Sequence, residues 1–314
     1  MQIQTQLKSI LDEVQKVIVG KEDVIERLLM AILCRGHVLL DDVPGVGKTT
    51  LAVALGRVLG LSYSRIQFTP DVLPSDIVGF SIYNKETGAF EYKPGVVTHT
   101  NILLGDEINR TSSKTQSALL EAMEEGQVTV DGNTYPLADP FVVIATQNNV
   151  GTAGTQLLPY AQLDRFLVRL SIGYPDFEGQ VAILRHRQRE NPLDSVRPVT
   201  TGAAVRQMQA ELDTVTIKDS ILAYITRLVM ASREHPQVEV GISPRGALFI
   251  SRMAKARAAI QGRDYVIPED VTAVLPDVCA HRFIVAQRAR LEGTTNLGIL
   301  AELAAQVPVP DTAP

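Results

Sequence analysis

The first half of the chain alternates between short apolar runs and longer segments with one apolar face. The short runs are rich in β-branched residues, which is typical of strands buried in a sheet. The longer segments carry their apolar residues at helical spacing. Strands that alternate with helices predict a parallel sheet with crossover helices on both faces. The predicted strands cover residues 37–42, 64–69, 101–107, 141–147 and 166–172, and two of the predicted helices cover 48–60 and 114–126.

The second half loses the strand pattern and becomes helical. Helices are predicted over 219–235, 243–261 and 267–283. Ser243 suits an N-cap because Pro244 follows it at the first helical position. We therefore expect an α/β domain followed by a small all-helical domain. The expected boundaries are 1–174 for the α/β domain, 175–305 for the helical domain and 306–314 for a disordered tail.

Two further segments interrupt the α/β pattern and predict β-hairpins. Residues 78–95 contain paired aromatic runs around a polar turn. Residues 127–137 contain a turn at either Asp131-Gly132 or Gly132-Asn133. The hairpins are either decoration or the working surface, since loops on a rigid frame often carry function. The pattern alone favours neither interpretation.

Composition and charge narrow the class of protein. A chain of 314 residues, 45% hydrophobic and 21% charged, is typical of a soluble globular protein of about two domains. Its net charge of −5 argues against nucleic acid as the main partner. Cys34 and Cys279 are far apart, which predicts reduced thiols in a cytoplasmic protein. No apolar run reaches the roughly 20 residues of a membrane helix, and the polar amphipathic start does not resemble a signal peptide.

The segment DDVPGVGKTT, residues 41–50, nearly matches a phosphate-binding loop. The pattern is G-x-x-x-x-G-K-[ST], but Asp42 stands where the first glycine belongs. In such a loop the backbone N–H groups converge on a phosphate, while Lys48 and Thr49 supply a cation and an Mg²⁺-binding hydroxyl. Nucleotide binding is favoured over an ordinary strand–turn–helix. The candidate contacts are Pro44, Gly45, Val46, Gly47, Lys48, Thr49 and Thr50.

A second motif, NILLGDEINR at residues 101–110, ends a hydrophobic strand with two carboxylates. One carboxylate there could cap a helix, but Asp106 and Glu107 together fit a Walker B site. Asp106 is then a candidate Mg²⁺ ligand, mostly through water. Glu107 is a candidate for polarising the water that attacks the γ-phosphate. Adjacent carboxylates repel each other, and a nearby cation relieves that cost.

Three polar residues elsewhere are further candidates, and the first two each allow two interpretations. Asn148 follows the fourth predicted strand and either forms a turn or positions the attacking water. Arg165 either pairs locally with Asp164 or Asp176 or reaches the nucleotide of an adjacent subunit. Arg245 lies in the first turn of a predicted helix, where the helix dipole disfavours a cation by roughly a few tenths of a kcal/mol. A nearby anion such as a γ-phosphate would offset that cost.

In this order, the motifs resemble the MoxR family of AAA+ ATPases. The resemblance covers about residues 5–305, and its most specific part is the segment 102–132. Members of this family commonly have an acidic residue at the position of Asp42, which agrees with a working loop. The other segments that carry the resemblance are VIVGKED at 17–23, DVPGVGKTTLA at 42–52, ATQNNVGTAGTQLLPYAQLDRFLVRLSIGYPDFE at 145–178 and GISPRGALFISRMAKARA at 241–258.

The resemblance implies a role for each candidate residue. Gly20 would lie near the adenine base. Arg165 would act on the nucleotide of the neighbouring subunit, and Arg245 would tie the helical domain, called the lid, to the nucleotide. By this resemblance the Walker A pair is Lys48 and Thr49, the Walker B pair Asp106 and Glu107, the first sensor Asn148, the arginine finger Arg165 and the second sensor Arg245.

The resemblance also implies cofactors, assembly and partners. ATP and Mg²⁺ are the expected cofactors, and a hexameric ring that hydrolyses ATP at subunit interfaces is the expected assembly. The expected activity is chaperone-like, maturing client proteins or loading cofactor or metal into them. Partners with a von Willebrand factor A domain are expected. The hairpins correspond to the helix-2 and pre-sensor-1 inserts, which face the pore or a partner in related rings.

Two residues depart from the family's pattern, and other functions stay open. Asn149 and Tyr160 stand where the family usually has Pro and Glu, near the expected subunit interface. The departures therefore affect the expected ring contacts more than nucleotide binding. The alternatives are a nucleotide-gated scaffold with little turnover, a nucleic-acid motor and a subunit of a magnesium-inserting chelatase. The acidic charge disfavours the motor, and the short hairpins fit the chelatase less well.

Overall fold

The computed structural model describes residues 2–147, 158–187 and 191–310. Its strands are β1 (Val38–Asp41), β2 (Tyr63–Gln67), β3 (Gly79–Asn84), β4 (Ala89–Pro94), β5 (Ile102–Asp106), β6 (Gln127–Val130), β7 (Asn133–Pro136), β8 (Val142–Gln147), β9 (Val168–Leu170), β10 (Val238–Val240) and β11 (Ile284–Val285). Its helices are α1 (Gln2–Gln15), α2 (Glu22–Leu33), α3 (Lys48–Val58), α4 (Pro74–Val78), α5 (Ser113–Glu125), α6 (Tyr160–Leu163), α7 (Phe177–Arg187), α8 (Gly202–Asp213), α9 (Asp219–Glu234), α10 (Pro244–Ile260), α11 (Pro268–Cys279), α12 (Gln287–Leu291) and α13 (Asn296–Gln306).

The central sheet contains five parallel strands in the order β2-β5-β8-β1-β9. These are the five predicted strands, so the prediction of a parallel sheet is confirmed. Successive side chains of a strand point to opposite faces. In β1, Val38 and Leu40 therefore pack into a large core with α2 and α3, whereas Leu39 packs into a smaller core with α5. Helices cover both faces, as predicted.

Both interrupting segments form antiparallel hairpins. Strand β3 pairs with β4, ending at Asn84 opposite Ala89. Strand β6 pairs with β7, and Val130 lies opposite Asn133. The turn of this second hairpin is therefore Asp131-Gly132. Both residues have positive φ, 51° and 81°, as a two-residue type I′ turn requires.

The second half is helical, as predicted, with one addition. Strands β10 and β11 form a short antiparallel pair within it. Helix α10 packs against α9 and α11, and also against α1 and α2 at the start of the chain. The apolar stripe of α1 is buried, so the two halves share one continuous hydrophobic core. Among the described residues, no helix is both long and apolar enough to cross a membrane.

Candidate active site

The phosphate loop connects the carboxyl end of β1 to the first residue of α3. Gly45 and Gly47 have φ of +84° and +92°, the left-handed region that favours glycine. No atom lies within 4 Å of a Cβ built at either glycine, so the space beside the loop is open. The loop thus points the N-terminus of α3 at an open space, which is the geometry of a phosphate site.

The loop lysine is buried among carboxylates. Lys48 is 8% exposed, and its Nζ donates a hydrogen bond to the main-chain oxygen of Asp42 at 3.0 Å. Burial lowers the pKa of Lys48, and the charges of Asp42, Asp106, Asp41 and Glu107 oppose that change. These carboxylates favour the protonated amine that a phosphate contact needs.

The predicted Walker B residues lie at the carboxyl end of β5. Asp106 is 7% exposed, and its Oδ2 accepts a hydrogen bond from Arg65 Nε at 2.6 Å. The hydroxyl of Thr146, at the end of β8, donates to Asp106 Oδ1 at 3.2 Å and accepts from Glu107 N at 2.9 Å. Thr146 thus joins the carboxyl end of β8 to the carboxyl end of β5.

The carboxylate of Glu107 accepts hydrogen bonds from two side chains. Glu107 has φ 56° and ψ 50°, a left-handed conformation that is uncommon for a residue with a side chain. Its Oε2 accepts from Gln67 Nε2 at 3.0 Å and from Arg110 Nη1 at 2.9 Å. Sequence reasoning missed Arg65, Gln67 and Arg110. The polar side chains of β2, beside the acidic end of β5, were the available signal.

A cavity of about 260 Å³ lies beside the phosphate loop. Four of the predicted nucleotide contacts line it, namely Gly45, Val46, Gly47 and Thr50. The apolar part of its wall comes from the α1–α2 connection, from the segment after β9 and from α7. Gly20 lies in the α1–α2 connection, between the lining residues Val19 and Lys21. An apolar cavity next to a phosphate loop has the form that a nucleotide base needs.

The donor set at this edge of the sheet fits a magnesium–nucleotide ligand. Thr49 supplies a hydroxyl at the start of α3, and Asp106 supplies a carboxylate at the end of β5. Hydroxyl and carboxylate oxygens are ligands that Mg²⁺ prefers. The predicted sensor Asn148 and its neighbour Asn149 lie outside the described residues.

Arg165 and Arg245 lie together, but at the opposite edge of the sheet. Both guanidinium groups pair with Glu124 near the end of α5, at 3.2 Å for Arg165 Nε. The neighbouring Met123 carbonyl contacts His37, which immediately precedes β1, at 3.0 Å. The arginine pair therefore lies at the amino edge, which is the edge of the sheet formed by the amino ends of its parallel strands. The length of β1, about 13 Å, separates it from the phosphate loop of the same chain.

This placement answers one open question about Arg165. Its ion-pair partner is Glu124 rather than either of the two local candidates, Asp164 and Asp176. Glu124 was not among the predicted site residues. Its position in the most specific segment of the family resemblance was the available signal.

A buried arginine from the lid fixes the surroundings of this pair. Arg282 is fully buried, and its Nε lies 3.2 Å from Asp164 Oδ1. The hydroxyl of Ser243 donates to the same carboxylate at 2.9 Å. Burial lowers the pKa of Arg282 to about 10. Asp164 directly precedes Arg165, and Ser243 lies two residues before Arg245. The hydrogen bond between Ser243 and Asp164 therefore holds together the two segments that carry these arginines.

Tyr160 contacts the lid of its own chain. Its hydroxyl donates to the main-chain oxygen of Gly241 at 3.2 Å and also to that of Arg282. This departure from the family's pattern thus adds a contact between the α/β region and the lid.

Comparison with known proteins identifies the family. A model of the ATPase family associated with various cellular activities (AAA) matches residues 37–168, and an AAA lid domain model matches 230–303. The chain is 41% identical to Chaperone MoxR1 of Mycobacterium tuberculosis over 286 residues, covering 88% of this chain and 75% of that protein. This chain belongs to the MoxR family of AAA+ ATPases. The resemblance inferred from the motifs is therefore confirmed.

Two further similarities extend over nearly the whole chain. The uncharacterized protein YeaC of Bacillus subtilis is 48% identical over 299 residues, covering 95% of this chain and 93% of that protein. A solved structure from Cytophaga hutchinsonii, described as a candidate ATPase, superposes with a TM-score of 0.91 at 41% identity. It covers 98% of this chain and 96% of that one. As a MoxR-family AAA+ protein, the chain is a nucleotide-binding, ATP-hydrolysing enzyme.

Proposed function

We propose that copies of this chain hydrolyse ATP at the interfaces between neighbouring copies. One observation carries this proposal. The phosphate loop lies at the carboxyl edge of the sheet and the arginine pair on Glu124 at the amino edge. A single chain therefore carries two halves of a site on opposite edges, and a complete site needs the amino edge of a second copy.

The carboxyl edge binds the nucleotide and prepares the attacking water. Lys48 and the backbone of the loop hold the phosphates, and the segment around Gly20 holds the base. Thr49 and Asp106 are the residues that would hold Mg²⁺, which neutralises phosphate charge when bound. The carboxylate of Glu107 accepts a proton from the water. Asn148 is proposed to orient that water.

The amino edge supplies cations from the neighbouring copy. Arg165 is the proposed arginine finger, and such fingers raise turnover by roughly 10³–10⁵. Arg245 lies on the same carboxylate as Arg165, so we propose that it also acts on the neighbour's nucleotide. This revises its expected role as a link between the lid and the nucleotide of its own chain.

Contact between opposite edges implies a ring. Two different surfaces of identical chains form a head-to-tail interface, which closes into a ring if the rotation permits. We propose a hexamer, as the family resemblance implies. In such a ring every copy offers its phosphate loop to one neighbour and its arginine pair to the other.

The proposed activity on other proteins is chaperone-like. The name Chaperone MoxR1 supports this for a relative. The hairpin β3–β4 supports it here, since its Tyr83 and Phe90 are 53% and 74% exposed. Exposed aromatic side chains at a hairpin suit contact with a client or with a partner carrying a von Willebrand factor A domain. Loading of cofactor or metal into the client is the specific form we propose.

The experiment compares ATP turnover in wild type, Glu107→Gln and Arg165→Ala. We expect Glu107→Gln to lower turnover by about 10²-fold or more, because the water loses its base. Arg165→Ala should lower it by about 10³-fold or more. Equal turnover in all three proteins would reject the proposal. A slow wild-type rate that neither substitution changes would favour the nucleotide-gated scaffold.

A further inference from the structure

Two of the segments that line the nucleotide cavity come from distant parts of the chain, and we call them its two walls. One wall is the phosphate loop. The other is the segment 171–175, which follows the edge strand β9 and leads into α7, and its residues 172–175 line the cavity. A ligand that fills the cavity touches both walls, so the distance between them affects how well it binds. Asp42 contacts both.

The carboxylate of Asp42 accepts four hydrogen bonds. Its Oδ2 accepts from the backbone N–H groups of Ile172 at 2.5 Å and Gly173 at 2.8 Å. The same oxygen accepts from the hydroxyl of Ser171 at 3.2 Å. Its Oδ1 accepts from Val43 N at 2.9 Å. Hydrogen bonds to a carboxylate are roughly twice as strong as those between neutral groups.

These hydrogen bonds connect the segment 171–175 to the phosphate loop beyond the point where β9 stops pairing with β1. Strand β9 pairs with β1 from Val168 opposite Val38 to Leu170 opposite Leu40. The same register would place Ile172 opposite Asp42, beyond the last of these pairs. The Asp42 side chain therefore continues the attachment after the main-chain ladder stops. Glycine, the residue that the general pattern has here, offers no side chain for this contact.

Asp42 is also part of the phosphate loop. Its main-chain oxygen accepts the hydrogen bond from Lys48 Nζ at 3.0 Å. One residue thus contacts the loop lysine through its main chain and the opposite wall through its side chain. The four donors on the carboxylate offset a negative charge that would otherwise repel a triphosphate.

We propose that Asp42 is a positioning residue whose carboxylate fixes the segment 171–175 against the phosphate loop and so sets the width of the nucleotide cavity. The proposal rests on the proposed ATP hydrolysis, because this width affects function only when a nucleotide fills the cavity. Asp42 acts through the cavity wall and not on the reacting atoms.

The first test measures hydrogen–deuterium exchange of the full chain without nucleotide. Asp42→Gly should raise exchange of the amides in segment 171–175 by about tenfold or more, because two amides lose their acceptor. Asp42→Asn, of equal size, should give a smaller increase. The matched control is Asp41→Asn, which removes the same charge from the adjacent residue, a partner of Arg169 at 3.7 Å. Unchanged exchange in Asp42→Gly, or an equal rise in the control, would overturn the proposal.

The second test separates KM from kcat for ATP. We expect Asp42→Gly to raise KM by about tenfold while kcat stays within about twofold, since binding changes and the chemistry does not. Asp42→Asn should change KM in the same direction, and it carries the test if the glycine variant does not fold. A lower melting temperature with unchanged KM would assign Asp42 a purely structural role and overturn the proposal. If wild type bound no ATP, the proposed function would fail, while the exchange result would still judge the attachment.

Discussion

The two edges of the central sheet hold their functional groups in different ways. At the carboxyl edge, Lys48, Asp106 and Glu107 each lie at or next to the end of a strand or the start of a helix. At the amino edge, Arg165 and Arg245 come from different halves of the chain and meet on Glu124. The α/β region alone supplies the first set of residues, whereas the second set also needs Arg245 from the lid.

This difference indicates that the two edges contribute separately to nucleotide binding and to ATP turnover. On the proposed function the carboxyl edge carries the nucleotide cavity, so changes there should affect nucleotide binding. The amino edge lies too far from the cavity of its own chain to contact the nucleotide there. Changes at the amino edge should therefore affect turnover, through the neighbouring copy, and should leave nucleotide binding nearly intact.

The largest expected effect separates one substitution at each edge. Arg165→Ala should lower ATP turnover by about 10³-fold or more while ATP affinity changes only a few-fold. Lys48→Ala should lower ATP affinity itself by about 100-fold or more, because a buried cation on the phosphates is lost. Equilibrium binding and steady-state turnover of both variants check this. Equal loss of affinity in both would remove the distinction between the edges.

The next effect concerns the stability of the amino edge. Asp164→Asn leaves the fully buried guanidinium of Arg282 without its counter-ion, which should lower the free energy of unfolding by about 3–5 kcal/mol. At the carboxyl edge, Asp41→Asn breaks a more exposed ion pair with Arg169 and should cost about 0–1 kcal/mol. Denaturant unfolding measures both. Equal losses of unfolding free energy would show that the Asp164–Arg282 pair stabilises the protein no more than the Asp41–Arg169 pair.

A smaller effect should appear as a pH dependence of stability. His37 is buried, its Nδ1 accepts from Val143 N and its Nε2 contacts the Met123 carbonyl, which fits a neutral ring. Burial lowers its pKa from 6.5 to about 4. The unfolded chain takes up this proton below pH 6.5, whereas the folded protein resists it down to about pH 4. Stability should therefore fall between these values, by about 3 kcal/mol from this residue.

The variant His37→Gln isolates that contribution. Its free energy of unfolding should fall less than that of wild type between pH 6.5 and 4, as measured by denaturant unfolding at each pH. Parallel curves for the two proteins would contradict the role assigned to His37.

The smallest expected effect uses two helix caps. Ser243 accepts a hydrogen bond from Gly246 N at 3.1 Å, and Ser112 accepts one from Thr115 N at 3.3 Å. Replacing either by Ala should cost about 1 kcal/mol of stability. Only Ser243 also holds Asp164, so only Ser243→Ala should lower turnover. Melting temperature and turnover of both variants test this, and an equal effect on turnover would contradict it.

The sequence predicts the carboxyl edge well because its groups lie within a few residues of strand ends. Apolar runs fix those ends, and parallel strands bring them to one edge. The polar side chains of β2 were visible in the sequence, but the contact of Gln67 with Glu107 was missed because the apolar pattern does not state that β2 and β5 are neighbours. The contact of Arg245 with Glu124 was missed because it joins residues 121 positions apart, across the lid interface.

The most direct test of a site shared between copies is to mix two inactive variants. Lys48→Ala lacks a working phosphate loop and keeps Arg165, whereas Arg165→Ala keeps the loop and lacks the finger. The account predicts that each variant alone is nearly inactive and that mixed assemblies regain turnover, because loops of one variant meet fingers of the other. Mixed assemblies that form but stay as inactive as the separate variants would contradict it.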